Sequence, residues 1–352
     1  MQTQIAAGRV FDFSHAVGRS AASGTGFRHP VAVAMATGSE TNAAYVISRG
    51  FEMIPNVHWS RTTVGCRVSK IIPGNASGEE ELITEFSKYG EAPGQIIWPA
   101  GIAVDSQNVV YVTDEWLNRI SVFDSEGNFL RMWGGTGTGQ GEFDGPSGIL
   151  IDHNDDIYLS DTRNHRIQKV TKDGAHIGTF GKIGNDDGQM DSPWGITADS
   201  EGYIYVSDHM NHRAQKFTAD GSFVASFGSE GTGRGELGRP SGIAVDRDGD
   251  IYVCDWSNNR IQVFASDGRF ITSLLGDAAE LSYWAKMTVE ANPDAVRRRR
   301  EVKDPRVEWR LDMPTDLVFD PVENRLIIAD SQRQRIQIYK KVNDYTVPSR
   351  TI

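Results

Sequence analysis

Cysteine is nearly missing from this chain: Cys66 and Cys254 are the two among 352 residues, far apart and without His or Cys at metal-ligand spacing beside them. A disulfide framework and a clustered zinc signature are thereby excluded, and a reducing compartment fits. No stretch approaches the roughly 20 apolar residues that span a bilayer. The opening MQTQIAAGRVFDFSHAVG lacks a basic segment followed by an apolar run and a small-residue cleavage site, so no signal peptide is visible and a cytoplasmic location is expected. Excess basic charge is missing too: 36 Lys+Arg stand against 47 Asp+Glu, a net −11 that disfavours a phosphate backbone as partner. The glycine-rich Gly135 to Phe143 lacks the Gly-Lys-Ser/Thr ending and the following helix of a phosphate loop, so no nucleotide cofactor is expected.

What the chain has is a repeat. Pro-x-Gly-Ile-x-x-Asp begins at Pro99, Pro146, Pro193 and Pro240, each 47 residues after the last. Asp114, Asp161, Asp208 and Asp255 close the runs YVTD, YLSD, YVSD and YVCD at the same interval, and Arg119, Arg166, Arg213 and Arg260 each follow five residues later. Within a unit, GIAVD and IYVCD alternate around the tight turn Arg247 to Asp250, and RIQVF and RFITSLLG flank Asp267-Gly268. Four short antiparallel strands per unit, with no helical period, describe a propeller blade. Degenerate copies at Pro30 and Pro314 bring the number of strand-pair signals to six. GRVFDFSHAVG reads as a fourth strand without its first three, so residues 1–18 are expected to complete the last blade and close the ring.

These motifs resemble the NHL repeat family, strongly from Pro99 to about Gly276, less from Pro314 to Tyr339, least from Pro30 to Pro73. The resemblance implies an all-β, six-bladed propeller filling residues 1–352 as one domain. It leaves function open, because the family holds protein- and RNA-binding scaffolds as well as enzymes. One enzyme branch, the lyase acting on peptidyl-hydroxyglycine, implies metal-binding histidines around the channel. Here the residues after the blade prolines are Val31, Ala100, Ser147, Trp194, Ser241 and Thr315, so that metal set does not carry over. A divalent metal remains a possible cofactor.

Two intervals are longer than the regular one, that from Pro30 to Pro99 and that from Pro240 to Pro314. The extra chain falls at 49–66 and 277–312, in links that emerge on one face of a four-stranded blade, and is expected to wall or roof the channel mouth. The second insertion places Leu281, Trp284 and Thr288 near helical spacing, and Asn292-Pro293-Asp294 reads as a helix start. Arg297 to Arg300 read as a solvated face pairing with Glu301, Asp304 and Glu308 rather than as a nucleic-acid patch.

The slots beside the repeated Asp and Pro vary while the scaffold repeats. On that mouth face His209, Glu115 and Asp316 are the candidate acid/base groups, with Asp316 standing where four blades have glycine. Trp98, Trp194, Trp256 and Met210 offer apolar walls for a small organic ligand, and Arg49 and Arg163 can hold a carboxylate or an oxyanion. The repeated Asp and Arg read as structural, and Cys254, alternating within IYVCD, as core. Two functions stay open: a small-molecule enzyme of lyase or hydrolase type at the channel mouth, or a protein- or RNA-binding scaffold. A deep aromatic pocket would favour the first, and a broad positive face would favour RNA.

Overall fold

The computed structural model describes residues 3–50 and 65–342. Strand β1 (Thr3–Ala6) and β2 (Arg9–Val17) lead into the first blade, β3 (Pro30–Met35), β4 (Ala44–Ser48), β5 (Arg67–Ile72) and β6 (Glu81–Phe86). The second blade is β7 (Pro99–Val104), β8 (Val110–Asp114), β9 (Arg119–Phe123) and β10 (Phe129–Trp133); the third is β11 (Pro146–Ile151), β12 (Ile157–Asp161), β13 (Arg166–Val170) and β14 (His176–Phe180). The fourth is β15 (Pro193–Ala198), β16 (Ile204–Asp208), β17 (Arg213–Phe217) and β18 (Phe223–Phe227); the fifth is β19 (Pro240–Val245), β20 (Ile251–Asp255), β21 (Arg260–Phe264) and β22 (Phe270–Leu274). The sixth is β23 (Pro314–Asp320), β24 (Arg325–Asp330) and β25 (Arg335–Val342), with β2 as its fourth strand and β1 as a fifth. All neighbours pair antiparallel, giving a six-bladed all-β propeller closed by the N-terminal strand. The β1–β2 hairpin is an addition that the repeat did not announce.

Alternation along each second strand builds the core. In β20, Ile251 and Val253 join Tyr205 and Phe227 of the fourth blade, while Tyr252 and Cys254 face Leu317 and Phe319 of the sixth. A period of two thus sends successive side chains into opposite seams, so every blade is glued to both neighbours. Cys254 is part of this core, and burial raises its thiol well above the ordinary range.

The first strands line the axis, where the backbones come closest. A Cβ on Gly148 would lie 2.1 Å from the Trp194 carbonyl oxygen, and one on Gly195 would lie 2.2 Å from that of Ser241. In the second to fifth blades glycine at this register is a packing requirement of the neck, while the first and sixth carry Ala32 and Asp316 there. Below the neck, a cavity of about 310 Å³ runs between apolar residues such as Val33, Ile102, Ile149 and Ile243; above it, about 30 Å³ opens toward the Pro-motif face.

The insertion at 277–312 folds into α1 (Tyr283–Glu290), α2 (Pro293–Arg300) and α3 (Arg306–Trp309). Asn292 caps α2, its side chain accepting from the Asp294 and Ala295 N–H groups, with Pro293 in the first turn. Trp284, 3% exposed, buries its ring beside Phe27 and Val17, and the Ser282 hydroxyl donates to the Gly18 carbonyl. These contacts run to the outer edge of the sixth blade and its seam with the first. The insertion thus packs as a buttress on the rim, where the apolar face of α1 finds its partners. Of the other insertion, residues 51–64 lie outside the described residues. Among the described residues no helix is long and apolar enough to cross a membrane.

Candidate functional site

The repeated aspartates anchor the mouth face. Asp208 accepts from the Asp191 N–H at 2.7 Å, from Asn211, from Arg213 Nε at 2.8 Å and from Gln215 at 3.0 Å. Asp161, Asp255 and Asp330 repeat the backbone, arginine and glutamine bonds of this set. The arginine's outer nitrogen then reaches carbonyls of the incoming link, as Arg166 does to Gly139 and Glu142. The second blade departs from the set. Ser121 replaces the glutamine, and Asp114 accepts from the N–H groups of Ile97, Trp116 and Leu117 instead.

Among the described residues, five blades are also stitched to the next at the corner after the Asp or its counterpart. Asn118, His165, His212, Asn259 and Gln334 accept, through Oδ1, Nδ1 or Oε1, from the N–H of the residue before the next proline, at 2.7 to 3.1 Å. His165 and His212 are therefore seam acceptors.

A second stitch uses the variable slots themselves. Arg49 Nε donates to the Pro99 carbonyl at 2.8 Å, Thr162 to Pro193 at 2.9 Å, His209 Nδ1 to Pro240 at 3.0 Å, Ser241 to Pro314 at 3.1 Å and Thr315 to Pro30 at 3.2 Å. The donor comes either from the slot after the Asp or from the slot after the Pro. Sequence spacing locates these slots but not the carbonyl across the seam, so their hydroxyls escaped selection.

His209 is the most informative of the candidates. It opens a 3-10 turn, His209–Asn211, and is 9% exposed. A carbonyl can only accept, so Nδ1 carries the hydrogen and the neutral ring presents Nε2 as an acceptor. Burial holds the imidazole below its ordinary pKa against the pull of the Pro240 bond, so it is neutral at pH 7. Its ring lies 5.0 Å from Trp194 and 6.1 Å from Trp256, making one aromatic row across the fourth and fifth blades. Met210 beside it is 40% exposed.

Glu115 sits in the second blade and pairs with Arg49 at 2.8 Å, both side chains largely buried. Burial raises its pKa, opposed by Arg49 and Arg163. The Arg49 guanidinium also lies over the Trp98 ring at 4.7 Å. Arg163 is more than half exposed and pairs with Asp144 at 3.0 Å. Trp116, 54% exposed, stands one residue beyond Glu115 in the same slot series that supplies Met210.

Asp316 lies in the neck. Its Oδ2 accepts the Val33 N–H at 3.0 Å, and burial pushes its pKa up to about 7 despite the backbone bonds. A carboxylate at the glycine register thus reaches into the first blade.

The structure does not bring His209, Glu115 and Asp316 together. They belong to the fourth, second and sixth blades, alternate positions around the ring, and among the described residues no hydrogen bond or ion pair joins any two of them. Nor does any group of three or more His, Cys, Asp or Glu lie close enough to hold a metal ion among the described residues. Trp194 and His209 with Trp256 do meet, as do Trp98, Arg49 and Glu115. Cys66 is buried against the Ile96 carbonyl, and burial pushes its thiol up to about 12, so it is no nucleophile. In α2, Arg299 pairs with Glu308 as expected, whereas Arg297 pairs with Asp294 of its own helix and Asp304 pairs with Arg306.

The comparisons agree with the architecture. The NHL repeat family profile matches residues 237–264, and a 6-bladed beta-propeller profile matches residues 102–174. A 54-residue segment is 39% identical to the RING finger protein nhl-1 of Caenorhabditis elegans; it covers 15% of this chain and 6% of that protein's length. A catalytically inactive histidine-to-alanine variant of virginiamycin B lyase from Staphylococcus aureus, solved with quinupristin, superposes with a TM-score of 0.56 at 13% identity, over 94% of this chain and all of that one. A structural genomics protein of unknown function from Bacteroides thetaiotaomicron gives 0.56 at 17% identity, over 94% of this chain and 76% of that one. A streptogramin B lyase gives 0.55 at 15%, over 94% and 98%. The chain is a six-bladed β-propeller that carries an NHL repeat match in its fifth blade.

Proposed function

We propose that this propeller binds a small organic molecule at the Pro-motif mouth, over the row Trp194, His209 and Trp256, and that its chemistry is of the lyase type. The observation that carries the reading is the fixed tautomer of His209. Its Nδ1–H is tied to the Pro240 carbonyl, and the ring is neutral and flanked by two tryptophans, leaving Nε2 as a base. A single neutral base suits abstraction of one proton followed by elimination. A hydrolase would need a second acid/base group within reach, and Glu115 and Asp316 are held in other blades by their own partners. That the same fold carries virginiamycin B lyase is in keeping with this reading. Arg163, exposed at the rim, would meet an anionic part of the ligand.

The test is a titration of tryptophan emission with quinupristin, linear peptide esters and aromatic carboxylates, followed by mass analysis of the products. Saturable quenching is expected, weakened about tenfold, or 1.4 kcal/mol, in Trp256→Ala. That substitution leaves the seam intact, because Ser241 makes the bond to Pro314. Turnover should vanish in His209→Gln while binding persists. Equal affinity in Trp256→Ala would sink the reading.

A scaffold function is the second reading, supported by the small enclosed volume, about 30 Å³, at the upper neck. It predicts capture of a folded protein, abolished by Trp194→Ala with Trp256→Ala, and no response to any small molecule. An RNA partner would require Arg297 to Arg300, and their replacement by Gln would then sharply weaken RNA binding.

A further inference from the structure

Each blade carries carboxylates or their neighbours at the turn between its first two strands, on the face opposite the mouth, and their neutralisation follows a pattern. In the third blade Lys169 pairs with Asp152 and Asp156 and lies over Tyr158; in the fourth, Lys216 pairs with Asp199 over Tyr203 and Tyr205. In the first, Lys70 pairs with Glu40 over Tyr45. All three lysines sit at one register of the blade's own third strand. The fifth blade has Val263 there, yet its turn carries Asp246, Asp248 and Asp250.

The cations come instead from the two ends of the chain. Lys341, on the closing strand β25, places Nζ at 2.5, 2.7 and 2.9 Å from Asp246, Asp248 and Asp250. Arg9, on β2, pairs with Asp250 at 2.8 Å. The Lys341 side chain is 5% exposed and that of Asp250 0%, so the contact is enclosed, while Arg9 and Asp248 form its wetter margin at 31% and 63%. Tyr252 adds a hydrogen bond to Asp246 at 2.7 Å. Gln4 of β1 reaches the Ser273 carbonyl of the fifth blade's outer strand at 2.9 Å. Phe11 stands opposite Lys341 in the β2–β25 ladder, so the lysine and the N-terminal strand share one anchoring point.

We propose that the β1–β2 hairpin is a releasable strap, held on the fifth blade by an ionic clasp that Lys341 and Arg9 make with Asp246, Asp248 and Asp250. The first, third and fourth blades neutralise this turn with a lysine of their own third strand and the sixth pairs Asp320 with Arg325, whereas the fifth draws its cations from the sixth. Removing one partner of an enclosed ion pair leaves an uncompensated charge, which concentrates the penalty at this seam. Release would bare the hydrogen-bonding edge of β25, a ready template for another strand. The mouth lies on the opposite face and does not enter the clasp.

Hydrogen exchange read by mass spectrometry on the full chain tests this. Lys341→Met should speed exchange in residues 3–17 by at least tenfold and leave the second to fourth blades as they were; Lys341→Arg should restore most of the protection. Lys169→Met, the in-blade counterpart, should loosen the third blade and leave residues 3–17 unchanged. If Lys341→Met does not fold, Arg9→Met and Asp248→Asn, at the wetter margin, should show the same localised effect to a smaller degree. Unchanged exchange in residues 3–17, or an equal rise in every blade, would overturn the proposal.

Discussion

The third blade and the sixth have the same aspartate–arginine–glutamine corner, yet one is a single run of chain and the other is assembled from both termini. Asp161 accepts from Arg166 at 2.7 Å and from Gln168 at 3.0 Å; Asp330 accepts from Arg335 at 2.8 Å and from Gln337 at 2.9 Å, the same geometry. The difference lies in the outer strand, supplied by β14 within the third blade and by β2 in the sixth. Local sequence therefore determines the blade, while the ring depends on pairings between the two ends of the chain, such as Val17 with Ile336. Long-range contacts of this kind carry the loop-closure cost of the intervening chain.

That comparison can be broken at several strengths. Deleting residues 1–18 should have the largest effect, leaving β25 as an open edge and removing Phe11 and Val17 from two seams; loss of a cooperative melt and aggregation on size exclusion are expected. Next, Asp208→Asn should cost about 3 kcal/mol in urea unfolding, because Arg213 loses its buried partner. Asp114→Asn should cost about 1–2 kcal/mol, because Asp114 receives chiefly backbone N–H groups and an amide oxygen still accepts some of them. Equal costs would mean that the arginine adds little to the corner.

A separate effect concerns pH. Asp316 has a folded pKa of about 7, above its unfolded value of about 3.9, so the unfolded chain ionises first and stability falls between these values as pH rises, then levels off. Asp316→Asn keeps an acceptor for the Val33 N–H and removes the titration. The variant's stability relative to the parent should therefore climb from pH 4 to pH 7 and stay flat above, as read from urea midpoints across that range.

The blade count, the four-strand unit and the closing segment are visible in the sequence because a 47-residue period writes the same contacts many times. The helix start at Asn292 is visible for a local reason, a capping side chain followed by proline. The β1 strand and the seat of the buttress are not. Thr3–Ala6 has no repeat to compare with, and the partners of Trp284 come from both ends of the chain, Val17 and Phe27 from one and Ile327 and Ile336 from the other. The candidate site was legible as a set of slots on one face and no further. Spacing puts His209, Glu115 and Asp316 at the same end of their strands, but it says nothing about the angle between blades, which keeps them apart. It also cannot tell that His209 spends Nδ1 on a neighbouring carbonyl.

That sharing of the seam bond between two slots sets how such a ring can diversify. Where Ser241 holds the Pro314 carbonyl, position 256 is released from duty and carries tryptophan; where His209 holds Pro240, position 194 is released and carries tryptophan as well. The fourth and fifth blades can thus each exchange one face-side residue by a single mutation without first loosening the neighbour. New recognition surfaces are reachable through neutral steps, one blade at a time, on a wheel that never has to come apart.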